Sequence, residues 1–196
     1  MKKFALFPLP QVVILPGMMM PLRFFEDRYL QLIEMVMKGE VHEFVMSRML
    51  LRDEMDYHLS PDFEKVGCRV RVTHHRKASD GTHEVMVCGE ERVTLIEGEP
   101  GDDRLYRLVD AESHPFTETG FSEWFKKWRS EIVTRLKGVP AIDELFEESD
   151  HGDLSDRRFL NILTSMLVQD AEVLQQCLEE DEPDHQMRMI EDWLLI

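Results

Sequence analysis

Residues 67–98, GCRVRVTHHRKASDGTHEVMVCGEERVTLIEG, carry the strongest β pattern in the chain. Val70 and Val72 alternate with Arg69 and Arg71, Asp80-Gly81 is a turn dipeptide, and HEVMV runs back from it. A two-residue turn there sets Lys77 opposite Glu84, Arg76 opposite Val85 and His74 opposite Val87. That register gathers Val70, Val72, Val85 and Val87 on one face of a half-buried hairpin. Gly89 then predicts a bulge ahead of RVTLIE.

Outward from this hairpin the chain divides near Pro115. On the N-terminal side, LFPLPQVVIL (6–15) reads as an extended run at a sheet edge, because proline cannot donate to a ladder. In GMMMPL (17–22), strand geometry points Met18 and Met20 one way and Met19 the other. EDRYLQLIEMVMKG (26–39) shifts to helical spacing: Tyr29, Leu32, Ile33, Val36 and Met37 form one stripe, and Gly39 ends it. HEFVMSRMLL (42–51) and RLYRLVDAE (104–112) read as strands. After Pro115 the pattern is helical. Phe121, Trp124, Phe125, Trp128, Ile132 and Leu136 recur at i, i+3, i+4 and i+7, with Gly138 and Pro140 as the stop. VPAIDELFEESDHGD (139–153) reads as a short helical turn in an acidic loop. SDRRFLNILTSMLV (155–168), DAEVLQQCLEE (170–180) and PDHQMRMIEDWLLI (183–196) predict three amphipathic helices, the second capped by Asp170. Short polar connections between them favour antiparallel packing in a small bundle. The expected organisation is α+β, with a β-rich unit over 1–115 and a helical unit over 116–196.

Composition narrows the function. The 196 residues carry 23 Lys+Arg against 39 Asp+Glu, a formal charge of −16. Such a field repels phosphate backbones, so nucleic acid is not an expected partner. Three cysteines without CxxC spacing fit a reducing cytoplasm better than a disulfide framework. The start, MKKFALFPLPQVVILPG, has the lysines and apolar residues of a secretion signal. However, Pro8, Pro10 and Pro16 interrupt it, no small-x-small cleavage site follows, and no uncharged segment is long enough to cross a bilayer. A soluble cytoplasmic protein without membrane contact is expected.

Catalytic patterns are weak. His74 and His75 are adjacent in a strand and point to opposite faces, as do Cys68 and Cys88 in the register above, so neither pair builds a metal site. There is no GxSxG elbow, and the cysteines have no evident activating partner. The carboxylates of EESDHGD and EEDEPD lack the alternation of a calcium loop and read as a solvated face. No enzymatic activity, metal or cofactor is expected. The Phe121, Trp124, Phe125 and Trp128 stripe reads first as core and second as a peptide-anchoring surface.

The frame of FPLPQVVILPGMMMPLRFFEDRYLQLIE (Pro-Leu-Pro, an apolar strand, Pro16-Gly17, Pro21-Leu22, Glu26, Arg28-Tyr29 and an apolar helix) resembles the N-terminal substrate-binding domain of the Lon protease family. The Val-Gly strand at Val66-Gly67, the Gly-x-x-Arg segment (Gly89 to Arg92) and the helices of DAEVLQQCLEEDEPDHQMRMIEDWLL extend the resemblance across nearly the whole chain. It implies a PUA-like pseudo-barrel with one inserted helix, followed by a helical bundle. Full Lon proteases continue into ATPase and serine–lysine protease modules. This chain stops at Ile196 without a GxxxxGK[ST] loop, so it resembles a stand-alone bacterial member lacking proteolytic activity. By that resemblance it binds unfolded polypeptide or a protein partner, with Met19, Phe24, Phe25 and Trp124 as candidate contacts on a soft apolar surface. The rival readings are an RNA-binding PUA-like protein, which the net charge opposes, and an unrecognised metal-dependent hydrolase.

Overall fold

The structure, a computed structural model, describes residues 2–53, 57, 61–97, 104–136 and 155–194. The acidic stretch 139–153 and the stop signals Gly138 and Pro140 lie outside the described residues. Among the described residues the strands are β1 (Lys2–Leu9), β2 (Met19–Phe24), β3 (Glu43–Arg48), β4 (Val66–Lys77), β5 (His83–Glu97) and β6 (Arg107–Ser113). Helix α1 (Asp27–Lys38) lies between β2 and β3. After β6 come α2 (Glu123–Leu136), α3 (Asp156–Leu167), α4 (Ala171–Glu179) and α5 (Pro183–Leu194). Among the described residues the fold is therefore mixed α+β, a six-stranded sheet with five helices.

The strands run in the order β2-β5-β4-β3-β1-β6, and β5 pairs with β6 as well, so the sheet closes on itself. Closure depends on the length of β5. Its first half, His83–Cys88, pairs with β2, and its second half, Val93–Glu97, pairs with β6. The run at 6–15 corrects the expectation of an edge strand. Its first part belongs to β1, which pairs with β3 on one side and β6 on the other. Pro8 is tolerated because the β6 pairing ends at Leu6, so its missing N–H interrupts no bond on that side.

The hairpin turn is one residue longer than Asp80-Gly81 alone. Ala78 N donates to Thr82 O at 2.8 Å, leaving Ser79, Asp80 and Gly81 as a three-residue loop, with Gly81 at a φ of +85° that favours glycine. Lys77 therefore faces His83, and Arg76 faces Glu84. A register shift between Val72 and His74 then restores the expected parity, and Val72 faces Val87. As a result Val70, Val72, Val85 and Val87 do share one buried face. A second shift lies opposite Gly89 to Glu91, the predicted bulge.

Two cores lie on either side of the sheet's wall and a third among the helices. The first is aromatic: Phe7 packs 4.7 Å from Phe24 and edge-on to Tyr29 at 4.5 Å, roofed by the Tyr29, Leu32, Ile33 and Val36 stripe of α1. The second joins Phe4, Leu6, Val45, Phe63 and Leu95. In the third, Phe125, Trp128 and Ile132 of α2 meet Phe159, Leu163, Cys177, Met187 and Ile190. The segment after β1 serves two of these cores. Ile14 enters the aromatic core while Val13 and Leu15 enter the helical one, so an unpaired extended segment uses its twofold alternation to bind sheet and helices together.

Candidate functional site

The four candidate contact residues separate on folding. Met19 is 49% exposed, Phe25 66% and Trp124 42%. Phe24, expected on the binding surface, is only 1% exposed and belongs to the aromatic core, so it is not available to a ligand. The reason is strand parity: Met20, Leu22 and Phe24 of β2 turn inward, while Met19, Pro21 and Arg23 turn outward. Met19 and Phe25 thus stand at opposite ends of β2. Trp124 points out of α2 while its stripe neighbours Phe125 and Trp128 are buried.

Phe25 immediately precedes Glu26, which lines a cleft of about 410 Å³ at the N-terminal end of α1. Its apolar wall comes from Leu6 and Pro8 of β1, Met49 beyond β3, and Leu105 with Tyr106 before β6. Leu105 is 60% exposed, and its backbone N–H is held by Gln31 Oε1 at 2.7 Å, which fixes this loop against α1. The polar wall is a cluster built by the Glu26, Arg28-Tyr29 frame. Glu26 occupies the N-cap position of α1 but makes no side-chain cap bond. Its carboxylate instead accepts from Arg28 Nε at 3.0 Å and from Tyr57 Oη at 2.5 Å. The Arg28 guanidinium lies over both Tyr29 and Tyr57, 4.5 and 4.8 Å from their ring centres. Burial raises both phenols above their ordinary range, so they are neutral hydrogen-bonding groups. Apolar side chains and placed polar groups thus line one concave cleft.

The other recognised motif residues build a junction. Gly17 N donates to Gly89 O and Gly89 N to Met18 O, both at 2.8 Å. A Cβ at Gly89 would sit 2.4 Å from Leu15 O, so only glycine permits this approach. Arg92, three residues on, is buried and spans from the sheet to the helices. It donates to His114 O at 2.7 Å, Pro115 O at 3.2 Å and Leu178 O at 3.2 Å in the last turn of α4, and it pairs with Asp181. Gln175 Nε2 adds a bond to Val66 O at 3.0 Å. Sequence reasoning did not single out Arg157, whose burial is the inverse of the usual arginine. Its only signal is a position just inside the Ser155 N-cap of α3.

Reactive chemistry finds no support among the described residues. Burial pushes the Cys68 and Cys177 thiols up to about 12, and burial together with Glu90 raises Cys88, so no thiol is activated. Among the described residues no group of three or more His, Cys, Asp or Glu could hold a metal ion. His75 Nε2 instead meets His83 Nδ1 at 2.8 Å, a direct ring-to-ring hydrogen bond. No helix among the described residues is long and apolar enough to cross a membrane.

The fold has close counterparts. The chain is similar to the N-terminal domain of the Mycobacterium avium complex Lon protease, with a TM-score of 0.68 and 19% identity over 98% of this chain and 97% of that one. It is also similar to a Lon N-terminal domain protein from Xanthomonas campestris, with a TM-score of 0.70 and 20% identity over 98% and 99%. No curated protein sequence matches it. At these identities the structures establish the fold. The family rests on the sequence itself, which matches the ATP-dependent protease La (LON) substrate-binding domain over residues 3–195. With the motif residues placed at the α1 cleft and at the sheet–helix junction, and the match running almost end to end, the chain belongs to the Lon substrate-binding domain family.

Proposed function

We propose that this protein is a non-catalytic capture module that holds an unfolded segment of another protein in the cleft at the start of α1. The observation that carries this reading is the exposed Leu105 in a trough whose polar wall is already organised by Glu26, Arg28 and Tyr57, with the exposed Phe25 next to Glu26 in the chain. Membership in a substrate-binding family supports a protein ligand. An extended segment would bury apolar side chains along Leu6, Pro8 and Tyr106 while its backbone meets the polar wall, giving modest and sequence-tolerant affinity. Met19 and Trp124 are secondary contacts, exposed but on other parts of the surface. In this reading the closed sheet of 1–115 is a PUA-like pseudo-barrel, and 116–196 forms the bundle that braces it.

Fluorescence anisotropy with a labelled, permanently unfolded polypeptide, a folded control and a single-stranded RNA tests this directly. Preference for the unfolded chain is expected, weakened about tenfold by Phe25→Asp or Leu105→Asp, in line with the loss of one buried apolar anchor. Equal binding by both variants and the parent would remove the cleft from the proposal. Binding to RNA alone would overturn the protein-capture reading.

A further inference from the structure

A second cavity, of about 370 Å³, opens where the sheet meets the helices, and arginines crowd its wall. Two guanidiniums are buried beside it, Arg92 and Arg157, stacked on Phe116 at 4.1 and 4.5 Å from its ring centre. Asp181 bonds Arg92 with its side chain, while Glu118 and Glu180 act on Arg157 only through their charge, with no hydrogen bond to it among the described residues. Arg157 receives only neutral acceptors: Gln186 Oε1 at 2.8 Å, Asp181 O at 2.6 Å and Thr117 O at 3.5 Å. Its Nε–H is buried and has no hydrogen-bond partner among the described residues. A buried cation without a hydrogen-bonded carboxylate is costly. The strain is visible in its acidity, since burial and then the neighbouring Arg92 lower Arg157 to about 10.

The walls supply further donors. Arg158, exposed and without an ion pair among the described residues, lays its stem against Gly17 and lines the same cavity. Ser155 caps α3 at this mouth, where the helix presents its N-terminal N–H groups and positive dipole end. Two of the acidic residues at the rim are already engaged: Glu90 bonds Arg71 at 2.8 Å, and Glu91 bonds Arg69 at 3.1 Å. Glu118 also lines the cavity and acts on Arg157, so an anion is favoured only on the side where Arg157 and Arg158 face it.

We infer that this cavity binds a small oxyanion, a phosphate or a carboxylate, held by Arg157 Nε, the Arg158 guanidinium, the Ser155 hydroxyl and the start of α3. The anion supplies the acceptor that Arg157 Nε–H lacks and bridges α3 to the Gly17–Gly89 contact of the sheet. The site is separate from the peptide cleft, and it stands whether or not that cleft binds unfolded chain.

Titration of the full chain with inorganic phosphate, with acetate as the carboxylate arm and chloride at matched ionic strength, decides the matter by calorimetry and thermal unfolding. Saturable binding with a rise in Tm is expected for phosphate or acetate and not for chloride, and the tighter of the two identifies the ligand class. Arg158→Ala, an exposed change that leaves the fold intact, is expected to weaken that binding at least tenfold. Arg157→Lys, which keeps the charge and removes Nε–H, is expected to weaken it as well. Equal Tm shifts by all three anions, or undiminished affinity in Arg158→Ala, would overturn the site.

Discussion

Phe24 and Phe25 are neighbours in sequence and opposites in role. Phe24 packs against Phe7 and Phe44, so Phe24→Ala is expected to cost about 3–5 kcal/mol in urea-induced unfolding, the range for truncating a buried aromatic. Phe25→Ala is expected to leave the urea midpoint nearly unchanged, because little of its surface is buried. His83 sets a second expectation at this scale. It is buried, bonded to His75, and faced by Lys77 of β4 and Glu34 of α1, whose carboxylate is 3.8 Å away. Burial, then Lys77 and His75, lower its pKa below the ordinary 6.5. The unfolded chain therefore takes up this proton first as pH falls. The stability linked to neutral His83 is complete above pH 6.5 and is lost as the pH drops toward the folded-state value. Unfolding midpoints measured from pH 7.5 to 5 are expected to fall in the parent, with a shallower decline in His83→Asn.

At the scale of elements, the β4–β5 pair is organised by two irregularities, one in each strand. The shift near Thr73 corrects the parity set by the three-residue turn, and the shift at Glu90 lets β5 turn from β2 to β6. Gly89 lies between those pairings, against the backbone of Leu15. Gly89→Ala is expected to destabilise the protein by about 1–3 kcal/mol, the usual cost of overpacking, because the clash is with a carbonyl oxygen that cannot rotate away. Calorimetry would show it as a lower Tm. Helix α4 offers a milder comparison. Asp170 accepts from the N–H groups of Glu172 and Val173, and Asp170→Ala is expected to cost about 1 kcal/mol.

The whole molecule depends on a few long-range ties between sheet and helices. Arg92 carries the largest share, since it serves carbonyls of the β6–α2 connection and of the α4 C-terminus at once. Arg92→Met is expected to cost about 3–5 kcal/mol, because it strips buried carbonyl oxygens and Asp181 of their partner. Hydrogen exchange is expected to show the helices losing protection before the sheet in that variant, where the parent exchanges both together. With Arg92 gone, the sheet and helices remain tied by the shared segment Val13–Leu15, by Gln175 to Val66 O and by Asn161 to Pro16 O.

Periodicity alone determined much of this protein. The valines of the hairpin, the α1 stripe, the Asp170 cap and the change from strands to helices after β6 all follow from local patterns, and local patterns survive in a string of letters. Met18 and Met20 inward with Met19 outward follow from strand alternation in the same way. Closure of the sheet was a tertiary decision, because it needs β5 to hold two partners along one edge, and that buried β1 instead of leaving it at the rim. Strand alternation likewise puts Phe24 on the inward face with Met20 and Leu22, and the chain leaves the strand before Phe25. The buried arginines were equally hidden: a guanidinium is placed inside only when distant carbonyls converge on it. The acceptors of Arg92 lie up to 89 residues away. Local spacing sets which face a side chain takes, and only the folded chain sets what stands opposite.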